Sequence, residues 1–149
     1  LQTQFKKFKQ PPILTPHPAE AARLLGCSTA EIQANRVVAA QTIAAQYRSI
    51  VVLKGMGSII AQPDGECRIN PTGSSALAVA GQGDTLSGMM TALLGRGLPP
   101  FEAACLAVYW HGLAGQMYEA QAGGAVGLNS NEMTRLISRV VNQAILLNH

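Results

Sequence analysis

Asp84 stands at the end of Ala80-Gly81-Gln82-Gly83-Asp84 and at the head of an apolar, helix-prone run, Leu86 to Leu94. Those residue types, in that order, can handle an anion. Gly81 and Gly83 let the backbone turn with its amide N–H groups facing one point. The helix that follows adds unpaired N–H donors and the positive end of its dipole. Gly81, Gln82 and Gly83 thus form a candidate anion hole, suited to a phosphate. Asp84, at its edge, is placed to take a proton from a hydroxyl that is being phosphorylated. The same residues also read as ordinary N-capping, and the stretch alone leaves both readings open.

Other stretches carry weaker chemistry. In Thr15-Pro16-His17-Pro18-Ala19-Glu20 the two prolines hold His17 stiffly. A rigid imidazole there can meet a polar ligand or cap a helix, and the residues alone favour the cap slightly. Glu20 suits the helix dipole. Lys54-Gly55-Met56-Gly57-Ser58 supplies positive charge and a backbone that a ligand can approach closely. Its spacing is not that of a Walker A loop, and a hairpin turn with a surface lysine has the same composition. Asn70-Pro71-Thr72-Gly73-Ser74-Ser75 is rich in small donors, as a phosphate-closing loop or a plain turn would be. His111, inside Tyr109-Trp110-His111-Gly112, reads as a satisfied packing residue, and His149 at the terminus is uninformative. Asp84 is the one acid assigned to catalysis, and no metal-ligand set is expected.

These residues need a scaffold. Residues 1 to 10 read as a helix end or an exposed lead-in that Pro11-Pro12 stops. Ile13-Leu14-Thr15 is a short strand, and Ala19 to Leu25 a helix closed by Gly26. Ser28 and Glu31 form a capping box opening one helix to about Tyr47. Ile50 to Leu53 is a buried parallel strand, and Ile59 to Ala61 with Cys67 to Asn70 a hairpin turning at Pro63-Asp64-Gly65-Glu66. Residues 71 to 80 are a loop. Helices follow from Leu86 to near Gly97, from about Phe101 to Ala122, and from about Asn131 to Leu147. This is an α/β order, with ligands expected where strand ends meet helix starts.

Size and composition agree. At 149 residues, 48% of them hydrophobic and 13% charged, the chain can bury one core and is not disordered. No apolar run is long enough to span a membrane, and residues 1–9 hold no signal-peptide core, so the cytoplasm is the expected location. The net charge of +3 includes Lys6, Lys7 and Lys9, a solvated cluster without the aromatic pattern of nucleic-acid binding. Cys27, Cys67 and Cys105 share no ligand spacing and read as buried or half-buried thiols in a reducing compartment. The chain starts at Leu1 without Met, as a processed or partial chain would.

The ordered motifs Thr-Pro-His-Pro-x-Glu, Val-Leu-Lys-Gly-x-Gly-Ser, Asn-x-Thr-Gly and Gly-Gln-Gly-Asp-x-Leu-Ser-Gly resemble the ADP-dependent NAD(P)H-hydrate dehydratases, a carbohydrate-kinase-like family. So does Leu-Ala-Val-Tyr-Trp-His-Gly-Leu-Ala-Gly at 106–115, and the resemblance covers about residues 12 to 148. It implies a ribokinase-like, three-layer α/β/α fold, of which residues 1–149 are the C-terminal part of a single domain. It also implies a lyase that repairs damaged nicotinamide cofactor. ADP, or ATP in some members, phosphorylates the S epimer of NAD(P)H hydrate, and phosphate then leaves. By motif, His17 and Asp84 contact the hydrate, with Asp84 as base. Lys54, Gly55, Met56, Gly57, Ser58 and Gly83 hold the nucleotide, with Mg2+ on its phosphates. A homo-oligomer and a possible upstream epimerase domain are further implications. Ala19, where the family usually has Gly, and Ser74-Ser75-Ala76 after Thr-Gly depart from the pattern. Two rival functions share these features: a small-molecule kinase of the same fold, and a nucleotide-binding fragment without turnover.

Overall fold

The computed structural model describes residues 9–146. The expectation for the first ten residues therefore falls almost wholly outside the described part, as do Lys6, Lys7 and His149.

The chain runs β1 (Ile13–Leu14), α1 (Pro18–Leu25), α2 (Thr29–Ala34), α3 (Arg36–Tyr47), β2 (Ile50–Leu53), β3 (Ile59–Ala61) and β4 (Cys67–Ile69). A 3-10 turn (Ser75–Leu77) leads to α4 (Gln82–Gly95), α5 (Pro100–Ala122) and α6 (Ser130–Leu146). The strands form a four-stranded sheet in the order β1-β2-β3-β4. β1 lies parallel to β2, with Ile13 opposite Ile50, while β2–β3 and β3–β4 are antiparallel.

Side chains alternate across a strand, and here each face meets helices. Val51, Leu53, Ile59 and Ala61 pack on one side with Ala21, Ile32, Ala40 and Ile43 of α1–α3. Ile50, Val52 and Ile60 pack on the other with Leu86 and Met90 of α4 and Phe101, Ala104 and Val108 of α5. The result is three layers, α/β/α. Burial on both faces is why β2 is an unbroken Ile-Val-Val-Leu run. Complete burial of such side chains stabilises by roughly 1.5–3 kcal/mol each, which makes β2 the anchor for the loop that follows it.

α6 lies on the far side of α5, where Met133, Leu136 and Val140 pack on Ala114 and Tyr118. Two glycines let α5 come close to the 71–77 segment. A Cβ on Gly112 would run into Thr72, its carbonyl carbon at 2.8 Å, and one on Gly115 would meet Leu77 Cγ at 2.8 Å.

The capping box at Ser28 is present: Ser28 Oγ accepts from the Glu31 N–H at 3.2 Å, and Glu31 Oε2 accepts from the Ser28 N–H at 2.8 Å. Gly26 ends α1 in the left-handed region at φ +67°. Three expectations are corrected. The single helix from Ser28 to Tyr47 is two, broken at Asn35 (φ −148°, ψ 63°). The loop at 71–80 contains the 3-10 turn. The helix expected from Leu86 begins four residues earlier, at Gln82, so Gly83 and Asp84 belong to its first turn.

Candidate functional site

Gly81 is the N-cap of α4 and adopts φ +86°, a left-handed conformation suited to glycine. Its carbonyl takes the first helical bond, from the Thr85 N–H at 3.1 Å. The N–H groups of Gln82, Gly83 and Asp84 precede that bond and so have no acceptor within the helix.

The Lys54 loop comes to the same place because β2 ends there. Lys54 Nζ lies 3.5 Å from where a Cβ on Gly83 would sit, an ordinary van der Waals contact that brings the ammonium against the first turn of α4. Lys54 Nζ also lies 4.0 Å from Glu20 Oε2, and Glu20 Oε1 is 3.4 Å from His17 Nε2. Three of the motifs therefore converge: His17 and Glu20 at the start of α1, Lys54 at the end of β2, and Gly83 at the start of α4.

A cavity of about 780 Å³ opens beside them. The whole Lys54-Gly55-Met56-Gly57-Ser58 loop lines it, with Asn70 to Ser75, Gln82, Gly83 and His111. Leu77, Leu86 and Val108 supply apolar wall, the mixture a ligand with a flat ring and a polar tail requires. Asp84 is exposed on the first turn, and His17 is exposed at its strand end. Neither is among the cavity's lining residues. His17 caps α1: its Nδ1 accepts from the Glu20 N–H at 3.3 Å, and Glu20 Oε2 accepts from the His17 N–H at 2.7 Å.

The Asn70 loop is held from within. Asn70 Nδ2 donates to the Thr72 carbonyl at 2.8 Å, and Thr72 Oγ1 lies 2.9 Å from the Tyr109 carbonyl of α5. Ser74 Oγ donates to Glu119 Oε2 at 2.6 Å on the cavity's rim.

Two residues beside the Lys54 loop and the cavity escaped the sequence reading. Arg36 Nη1 donates to the Met56 carbonyl at 2.6 Å, and Nη2 reaches the Leu53 and Lys54 carbonyls at 3.3 and 3.4 Å. Burial lowers its pKa from the ordinary guanidinium value, but the group stays charged. Gly55 is needed opposite it: at φ +147°, a Cβ there would sit 2.8 Å from Nη2. The second residue is His111. It is buried, as a packing residue should be, but not satisfied: Nε2 has no partner among the described residues. Burial pushes its pKa down to about 4, against the opposing effect of a hydrogen bond with the Gln82 backbone. The ring is neutral at pH 7.

A family model described as NAD(P)H-hydrate dehydratase, of the carbohydrate-kinase type, matches residues 1–139. The chain belongs to this family. An ADP-dependent (S)-NAD(P)H-hydrate dehydratase from Neisseria meningitidis is 48% identical over 121 residues, covering 81% of this chain and 41% of the relative. The solved ADP/ATP-dependent NAD(P)H-hydrate dehydratase from Bacillus subtilis, co-crystallised with ATP/Mg2+, aligns with a TM-score of 0.84 at 41% identity, over 89% of this chain and 48% of that one. A ribokinase-like superfamily protein from Enterococcus faecalis aligns with a TM-score of 0.73 at 26% identity, over 95% of this chain and 50% of that one. The fold is thus the ribokinase-like α/β/α one, and the chain spans about half the length of these hydrate dehydratases.

Proposed function

We propose that the chain carries the nucleotide site and the catalytic base, Asp84, of an ADP-dependent NAD(P)H-hydrate dehydratase. It would form the C-terminal part of that single domain. The observation that carries this reading is the approach of Lys54 Nζ to Gly83 at the start of α4, beside the cavity. A phosphate set there meets a cation and a row of free N–H groups together.

Phosphoryl transfer needs mainly position and charge stabilisation. The nucleotide's base and ribose occupy the cavity, held along the Lys54 to Ser58 loop. Its terminal phosphate lies against the amides of Gln82 and Gly83. Asp84, one residue further and facing solvent, takes the proton of the hydrate's hydroxyl as its oxygen attacks phosphorus. AMP leaves. Phosphate is then expelled from the nicotinamide ring as a neighbouring C–H loses its proton, and the double bond returns. His17, capped in place by Glu20, contacts the hydrate on that same outer side.

Among the described residues no group of three or more His, Cys, Asp or Glu could hold a metal ion by itself. A Mg2+ ion brought in with the nucleotide would ask for few protein ligands, and the exposed Asp84 carboxylate on the first turn of α4 is the oxygen donor that could hold it. When bound, the ion would neutralise charge on the transferred group.

No helix among the described residues is long and apolar enough to cross a membrane. Action in the cytoplasm and a homo-oligomeric state complete the reading. Relatives named bifunctional NAD(P)H-hydrate repair enzymes support an epimerase domain upstream. The positions of His17 and Asp84, outside the cavity, favour one second reading: a chain that binds nucleotide without turnover.

The test is recovery of NADH from its S-hydrate with this chain, ADP and Mg2+, alongside calorimetric titration with ADP. Binding with recovery supports the assignment for this chain alone. Binding with weak or no recovery is the expected result for a chain that spans about half the length of its relatives; it leaves the nucleotide site and moves the same assay to the longer chain, where failure overturns the catalytic assignment. A stable phosphorylated hydroxyl product would instead identify a kinase.

A further inference from the structure

The cavity carries charge in two places. Among its lining residues, Lys54 and Glu119 alone are charged at neutral pH. Lys54 belongs with Gly83 at the start of α4, where the phosphates are placed above. Glu119 stands away from them. Leu86, one turn beyond Gly83, packs in the same cluster as Val108 of α5. Glu119 lies about three turns further along that helix, roughly 16 Å. It is the last residue of α5 to line the cavity.

The carboxylate is held in place but not neutralised. Ser74 Oγ donates to Glu119 Oε2 at 2.6 Å, and Ser74 Oγ itself accepts from the Ala76 N–H at 3.0 Å. A hydroxyl has one proton, so Ser74 gives it to Glu119 alone. No other hydrogen bond and no ion pair holds Glu119 among the described residues. Glu66 and Glu102, by contrast, share Arg68, and Glu20 lies near Lys54. One oxygen of Glu119 is thus fixed, while Oε1 keeps its capacity to accept at the cavity's rim.

A carboxylate can only accept hydrogen bonds. It repels a phosphate and attracts a hydroxyl or an amino group. A ligand whose anionic end meets Lys54 and the α4 amides therefore turns a neutral, donor-bearing end towards Glu119. A nucleotide has that polarity, with sugar hydroxyls and, in adenine, a 6-amino group away from its phosphates. Leu77 lines the cavity and sits against Gly115, one turn before Glu119, where it offers apolar surface to a ring.

We propose that Glu119 is a specificity-determining residue of the nucleotide cavity: Oε1 accepts a hydrogen bond from a nucleoside donor, a sugar hydroxyl or the 6-amino group, and its charge sets which way round the nucleotide lies. This deepens the nucleotide reading above and rests on it. Glu119 touches no reacting atom.

The experiment is calorimetric titration of the wild type, Glu119→Ala and Ser74→Ala in the presence of Mg2+. The probes are ADP, three analogues that each lack one donor (2′-deoxy-ADP, 3′-deoxy-ADP and purine riboside 5′-diphosphate), and pyrophosphate, which has no nucleoside. In the wild type one analogue binds about tenfold more weakly than ADP, the worth of one hydrogen bond, and its missing group identifies the donor. Glu119→Ala loses about tenfold for ADP and no longer distinguishes that analogue from ADP. Ser74→Ala keeps the carboxylate and still distinguishes them. Pyrophosphate binds Glu119→Ala at least as tightly as the wild type, since its partners are Lys54 and the α4 amides. Full ADP affinity in Glu119→Ala overturns the proposal. So does a loss shared equally by ADP and all three analogues, which would make Glu119 only a tether for the Ser74 loop, or a parallel loss of pyrophosphate. A wild type that binds ADP and all three analogues alike removes the role of Glu119 and leaves the nucleotide reading. A wild type that binds neither ADP nor pyrophosphate overturns both.

Discussion

Arg36 Nη1 donates to the carbonyl of Met56 at 2.6 Å, across 20 residues of sequence. With Nη2 near the Leu53 and Lys54 carbonyls, one planar guanidinium gathers three carbonyls on the back of the Lys54 loop. Carbonyls held on that side leave the loop's other face to the cavity. Arg36→Ala should therefore destabilise the fold by about 1–3 kcal/mol and weaken ADP binding together. Arg36→Lys should recover little, because an ammonium cannot span the three acceptors as a fork does. Urea unfolding and ADP titration of both variants check this. Wild-type behaviour of Arg36→Ala in both would remove the role.

His111 makes stability depend on pH. Its pKa falls from 6.5 to about 4 on burial. Between those values the unfolded chain binds a proton that the folded chain does not. The contribution is complete above pH 6.5 and is lost as pH drops towards 4. The gap corresponds to roughly 3 kcal/mol. Urea unfolding at neutral pH and near pH ~4.5 should show a marked loss for the wild type, and a smaller one for His111→Asn, which has no imidazole to protonate. Equal losses in the two proteins would show that the acid sensitivity comes from elsewhere.

The layers could be read from local signals, and the site only in part. The β2 run, Gly26 and the Ser28–Glu31 box are determined by neighbours along the chain, so residue types reveal them. The start of α4 is not. Gly83 costs about 1 kcal/mol in a helix, so the pattern starts at Leu86, whereas the helix packed on β2 extends back to Gln82. The break at Asn35 is similarly hidden, since the apolar spacing continues through it and only the packed structure turns Arg36 towards the Lys54 loop. His111 looked like a core residue because burial is legible in an apolar helix, while a missing partner is not. The meeting of Lys54 with Gly83 follows from sheet order, which no local spacing encodes.

Gly112 and Gly115 separate a site effect from a packing effect. A Cβ at Gly112 would collide with Thr72, including its main chain at 2.8 Å, whereas one at Gly115 meets only the side chain of Leu77, at 2.8 Å. A side chain can rotate away and a backbone cannot. Gly112→Ala should cost about 2–3 kcal/mol and Gly115→Ala about 1 kcal/mol. The first should also weaken ADP binding, because Thr72 and Gly73 line the cavity. Thermal unfolding and ADP titration give the comparison, and equal costs would mean that the 71–75 loop yields as easily as Leu77.

Asp84 should affect turnover and leave binding nearly alone. It is exposed at the third position of α4 and does not line the cavity. Asp84→Asn keeps the size of the side chain and removes the base, so turnover of the S-hydrate should fall about 10²–10⁴-fold. The affinity for ADP should change much less, since the amides and Lys54 remain in place. Stability should drop slightly, by about 0.3–1 kcal/mol, because a carboxylate in the first turn favours the helix dipole. Steady-state rates, ADP titration and unfolding of the one variant separate these effects. Near-normal turnover would remove Asp84 as the base. A loss of ADP affinity as large as the loss of rate would show instead that the carboxylate works by holding the nucleotide and its ion.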